Sequence, residues 1–143
     1  MRNTLRFRHW TAPHTRGHMR YDLAVGDTIE YDGHPYQVTA RDLRDYKAKR
    51  KYRLMLASGV LDDQGQEVYE ADIVQVFQRG DSRGISYFAY VVWDPTRGFL
   101  YRNAQDLPLT VDCVTRVWTN FYAQPHWVEQ FNYHQNFIQE HWF

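Results

Sequence analysis

Five acids crowd one short stretch of this chain, Asp62, Asp63, Glu67, Glu70 and Asp72. Carboxylates at that density are the raw material of a Mg²⁺ or Ca²⁺ site, because both ions take hard oxygen ligands. The spacing lacks the pattern of a calcium loop, and no general base or cationic clamp stands beside it, so the expected role is a solvated hairpin face. His14 and His18 are four residues apart, but Pro13 and Gly17 break the helix that would align them. His134 and His141, seven apart, have no cysteine partner and no HExxH spacing, so all four are expected as exposed or core-rim histidines and not as zinc ligands. The chain has one cysteine, Cys113, in an alternating apolar run where it reads as a small buried hydrophobe. With no GxSxG elbow, no GxxxxGK[ST] loop and no GxGxxG turn, the expectation is a protein that is not an enzyme and needs no cofactor or metal.

The other chemistry-bearing stretch is basic. Arg44, Lys47, Lys49, Arg50, Lys51 and Arg53, with Tyr46 and Tyr52 interleaved, have the composition for phosphate contacts and base stacking. The same composition makes a soluble exposed loop. Net charge is +0, yet residues 1–56 hold 12 Lys/Arg against 6 Asp/Glu (+6) and residues 57–143 hold 5 against 11 (−6). Such a split either steers a polyanion to one end or lets the halves attract each other; the second is preferred, since no pattern puts the charges on one face.

Most of the elements that must position these residues read as strands. In LRFRHW, residues 5–10, Leu5 and Phe7 alternate with Arg6 and Arg8 as in a half-buried strand, and residues 19–23 form the returning arm. Asp32-Gly33, between Ile29-Glu30-Tyr31 and Tyr36-Gln37-Val38, is the strongest hairpin signal, with Pro35 expected at a strand start or edge. Residues 41–53 read as a loop, an edge or a short exposed helix before a strand at 54–57. A second turn belongs near Asp63–Gly65, followed by the β-branched run from Ile73 to Phe77. Residues 84–94 and 99–103 then make an antiparallel pair, and 111–122 the last strand. VGDTIEY at 25–31 faintly echoes EADIVQV at 70–76, in each case an acid before a β run, although two unrelated strand starts are the simpler reading.

The stretch SGVLDDQGQEVYEADIVQV, residues 58–76, resembles the signature of the YopX family of phage and prophage proteins, a pattern close to TGLxDxxGxEIYEGDIV. Gly59, Asp62, Gly65, Glu67, Tyr69, Glu70, Asp72, Ile73 and Val74 fall on it without a gap. The resemblance continues upstream in LRFRHWTAPHTRGHM at 5–19 and downstream in VVWDPTRGFLY and VWTNFYAQP. Ser58, Ala71 and Thr119 depart from it, the last two standing where the family has glycine. Since Ala and Thr pay for a positive φ, neither position is expected to need one. The resemblance implies a mainly β domain of phage origin and brings no catalytic residue with it.

After Pro125 the chain becomes aromatic, and Trp127, Phe131, Ile138 and Trp142 follow a helical stripe. The expected architecture is therefore a mainly β domain over 1–124, a small barrel or sandwich of antiparallel strands, with a C-terminal helix over 125–143 that pairs with a second copy. Mean hydropathy of −0.69 and the absence of a long apolar run or a leader lead to the expectation of a protein that stays in the cytoplasm of its bacterial host, with no membrane partner. The expected function is that of a phage-encoded accessory protein binding a host or phage macromolecule, a host defence nuclease among them; the alternative is direct nucleic-acid binding through 41–53.

Overall fold

The computed structural model describes residues 5–11, 17–78, 86–102, 106–109 and 113–124. The chain is mainly β and divides into two compact units, Met1–Ala57 and Ser58–Phe143. Both lie within or across the 1–124 span expected from sequence; the boundary at 125, the helix beyond it and its stripe of Trp127, Phe131, Ile138 and Trp142 lie outside the described residues, as do His14, His134 and His141.

Unit 1 is built on an antiparallel set in the order β2-β1-β5, with β1 at Arg6–Thr11, β2 at His18–Ala24 and β5 at Leu54–Leu61, the strand on which the unit boundary falls. β1 has a paired neighbour on both sides and is more deeply buried than a half-exposed strand. Phe7 is buried as expected, but so are Arg8 and His9 (3% and 1% exposed), and Arg8 donates from Nε to the Met55 sulfur at 3.3 Å. A two-stranded ribbon, β3 (Thr28–Tyr31) and β4 (His34–Gln37), turns at Asp32-Gly33 with φ of 51° and 76°. Positive φ at both central residues is the turn that matches strand twist, which is why Asp-Gly was legible. Pro35 sits on this ribbon opposite Glu30.

The polar stretch after the ribbon forms two short helices, α1 (Ala40–Arg44) and α2 (Tyr46–Tyr52). Thr39 starts α1 with a capping box: its hydroxyl accepts the Asp42 N–H, and the Asp42 carboxylate accepts the Thr39 N–H. Asp45 ends α1 and caps α2, accepting the Lys47 N–H at 2.9 Å.

In unit 2 the second half of β5 pairs with β6 (Glu67–Tyr69), and a five-stranded antiparallel sheet runs in the order β10-β9-β8-β7-β11. Its strands are β7 (Asp72–Gln78), β8 (Ser86–Asp94), β9 (Gly98–Arg102), β10 (Asp106–Pro108) and β11 (Cys113–Asn120). Among the described residues neither this sheet nor that of unit 1 closes into a barrel. One face of β7 and its neighbours holds a core cluster of Val68, Val74, Val76, Ala89, Val91, Tyr101 and Leu109, with Val60, Phe99 and Val117 against them, and Ile73, Tyr90, Val92 and Leu100 of the alternate positions are buried as well. Thr115 lies buried, its hydroxyl hydrogen-bonded to that of Tyr101.

The expectation that Ala71 avoids a positive φ is overturned. Ala71 has φ of 74° and is fully buried, its N–H donating to the Val91 carbonyl at 2.8 Å and its carbonyl accepting the Phe121 N–H at 2.9 Å. Such a conformation costs an L-residue about 1–2 kcal/mol, and the hydrogen bonds on both sides fix the backbone where relaxation would break them. Thr119 instead keeps a negative φ beside the register shift of β11.

Candidate functional site

Carboxylates of the acidic stretch are tied to the backbone. Asp62, 7% exposed, accepts the N–H groups of Gln64 and Gln66 on one oxygen (2.9 and 2.8 Å) and of Val117 on the other (3.1 Å). Its neighbour Asp63 donates its own N–H to the Thr115 carbonyl and forms a two-pronged pair with Arg116 at 3.1 and 2.6 Å. The β5–β6 loop thereby covers part of the outer edge of β11, satisfying groups that an edge strand leaves open to a foreign strand. Arg116 holds the Asp63 carboxyl below the usual range. Asp72, 1% exposed, accepts the Tyr69 N–H at 2.8 Å, and Glu67 accepts that of Gly59 at 3.0 Å. The expected solvated face is thus corrected: Asp62, Glu70 and Asp72 are buried, with backbone donors compensating the desolvation of Asp62 and Asp72. Among the described residues no group of three or more His, Cys, Asp or Glu side chains is placed to hold a metal ion.

The six cations expected to act together do not form one surface. Lys49 is 4% exposed, which takes its ammonium out of any surface contact. Arg53 closes α2 in the left-handed region (φ 56°), and its Nε donates to the Trp10 carbonyl at 3.0 Å while the Trp10 N–H donates to the Arg53 carbonyl at 3.1 Å. It is a joint between helix and strand. Arg50 is half-buried, its carbonyl accepting the Arg53 N–H. Arg44, Lys47 and Lys51 are exposed, as is Arg41, which the sequence reading did not single out. Lys47 and Lys51 stand one turn apart on α2 and so share a face.

The interleaved tyrosines also separate. Tyr52 stacks on Tyr36 with ring centres 4.3 Å apart and planes at 11°, and makes a T-shaped contact with Tyr31 at 4.9 Å between centres. The Lys51 ammonium lies 5.2 Å from the Tyr52 ring centre, and the Arg53 guanidinium 5.9 Å from that of Tyr31, within the reach of a cation–π attraction. The Tyr36 hydroxyl donates to the Asp42 carboxylate at 2.8 Å, which raises its pKa well above the ordinary phenol value. Tyr46, at the first position of α2, is by contrast 53% exposed.

His9 anchors this segment from below. Its Nδ1 lies 2.9 Å from the Tyr52 carbonyl at the end of α2, and its Nε2 is buried with no partner of hydrogen-bond geometry. Burial lowers its pKa, more than the Tyr52 and Glu30 carbonyls raise it, while Arg53 and Arg20 press in the same direction as burial. Nothing in the spacing of the histidines pointed to His9; the strand alternation, which placed Phe7 inside, would have put His9 on the same side.

A second surface also escaped the sequence reading. On the other face of the unit 2 sheet, Trp118 is 55% exposed and meets Phe88 edge-on at 5.6 Å, and the Arg116 guanidinium lies 5.9 Å from the centre of the Phe77 ring.

No family model matches the chain, and neither a curated protein nor a solved structure does.

Proposed function

We propose that this protein is a non-catalytic accessory protein, of the phage or prophage kind that its motifs resemble, and that it binds a host or phage macromolecule through its basic first unit. One observation carries the reading: Arg44, Lys47 and Lys51 are exposed along two short consecutive helices with Tyr46 between them, in a unit whose charges run 12 Lys/Arg against 6 Asp/Glu. The charge change in the sequence falls at the boundary between the units, since Ala57 is neutral. A local excess of positive charge raises the encounter rate with a polyanion even when the whole chain is neutral.

The employment of Asp62, Asp72 and Glu67 as backbone acceptors supports a non-catalytic reading, because it gives the acidic stretch a structural role. The YopX resemblance draws support from the backbone. Gly59, Gly65 and Gly98, all on its motifs, have φ of 80°, 80° and 83°, and Ala71 has φ of 74° where the motif has glycine. A cytoplasmic site of action in a bacterial host and a defence nuclease as protein partner belong to the same proposal, as does pairing of two copies through residues 125–143. Light scattering of the full chain at micromolar concentration reads the pairing directly, and a monomer removes it. Direct nucleic-acid binding is the second reading, favoured by the exposed ring of Tyr46.

The test is replacement of Arg44, Lys47 and Lys51 together by Ala, followed by titration against labelled nucleic acid and against host extract depleted of nucleic acid. Loss of binding in one of these arms is expected. Undiminished binding by the triple variant would overturn the proposal.

A further inference from the structure

We infer that the macromolecule met by this surface is single-stranded nucleic acid, with Tyr46 as the ring on which an unpaired base stacks; this rests on the reading that the basic first unit makes the contact. Tyrosines near the cations differ in what they have left to offer. Tyr36 and Tyr52 cover each other, Lys51 lies over the Tyr52 ring, and Tyr31 is engaged by Tyr52 in a T-shaped contact and by Arg53. Tyr46 is the tyrosine of the two helices that is more than half exposed, at 53%, and it stands next to exposed Lys47 and two residues from exposed Arg44. Its position on α2 is one residue after the Asp45 cap, so the helix fixes its backbone and the ring is presented from a rigid element.

Ligand classes follow from that juxtaposition. A duplex offers phosphates to the cations, but its base faces are covered by stacking and leave the ring without a partner. An acidic peptide likewise satisfies the cations alone. An unpaired strand offers both, phosphates for the cations and splayed bases with free π faces, and it needs no sequence preference because every base has one. Three phosphate contacts on a single strand correspond to a salt slope of roughly −2 in log K against log salt.

The experiment titrates the full chain by fluorescence anisotropy against labelled oligo(dT) and against a duplex of the same length, over a range of salt. Wild type is compared with Tyr46→Ala, Tyr46→Phe and the Arg44/Lys47/Lys51→Ala variant, each checked by circular dichroism. Oligo(dT) should bind more tightly than duplex, with a slope near −2. Tyr46→Ala should weaken it by about fivefold or more without changing the slope, Tyr46→Phe should stay close to wild type, and the triple variant should flatten the slope. Equal binding of duplex and oligo(dT), with no effect of Tyr46→Ala, would overturn the stacking inference and leave the parent reading standing. No binding of either, with a protein retained through the three cations, would do the same. No binding of any macromolecule would overturn both.

Discussion

Two turns, one in each unit, set the same backbone problem and receive different residues. In unit 1 the Ala24 N–H donates to the Asp27 carboxylate at 2.8 Å, and Gly26, at φ 97°, donates to the Val38 carbonyl at 2.8 Å. In unit 2 the Tyr69 N–H donates to the Asp72 carboxylate at 2.8 Å, and Ala71, at φ 74°, donates to the Val91 carbonyl at 2.8 Å. The faint echo between residues 25–31 and 70–76 is therefore a shared turn that launches a strand, with the acid as its clasp. Where they differ is burial: Gly26 is exposed and Asp27 half-buried, whereas Ala71 and Asp72 are inside. A glycine takes the conformation at no steric cost, while a buried alanine must be held there by its surroundings.

The largest effect that would separate the turns is loss of the clasp. Asp72→Ala strands a buried Tyr69 N–H and should cost about 3 kcal/mol in denaturant unfolding, whereas Asp27→Ala, at a wetter site, should cost about 1 kcal/mol. Equal losses would show that burial does not distinguish the clasps. Next come the reciprocal swaps, which have opposite signs. Ala71→Gly should stabilise by roughly 1 kcal/mol through relief of the left-handed strain, and Gly26→Ala should destabilise by about the same amount. At Gly26 a Cβ meets nothing within 4 Å, so the cost there is that of the backbone alone. Destabilisation by Ala71→Gly would mean that the methyl's packing outweighs its strain.

The smallest effect contrasts the polar interior of unit 1 with that of unit 2. A histidine with a lowered folded pKa binds fewer protons folded than unfolded, so its contribution is present above the unfolded value of 6.5 and is lost as pH falls from there through the folded value. Stability should drop as pH falls below the unfolded value of 6.5, and His9→Gln should flatten that drop. An unchanged pH profile in the variant would remove His9 from the explanation.

Local signals were legible where one or two residues decide the backbone: Asp32-Gly33, the turn near Asp63–Gly65, and the β-branched run that became β7 all stand as read. What the sequence hid depends on partners far along the chain. Asp62 looks like a solvent-facing acid until the Val117 N–H, 55 residues away, arrives at its carboxylate. Lys49 looks like its neighbours, but the turn of α2 carries it inward. Ala71 misled in the opposite way: its residue type spoke against a positive φ, and tertiary hydrogen bonds impose one. The basic surface was consequently found in composition and resolved only by burial, which left Arg44, Lys47 and Lys51 outside and took Lys49 and Arg53 into the fold.

Affinity capture from phage-infected bacteria, with the tagged full chain beside its Arg44/Lys47/Lys51→Ala variant and with and without nuclease, tests binding through unit 1 most directly. The wild-type chain should retain a macromolecule that the variant loses, and nuclease should release it if the partner is a nucleic acid. Recovery of the same material by both chains would contradict the assignment of binding to these cations.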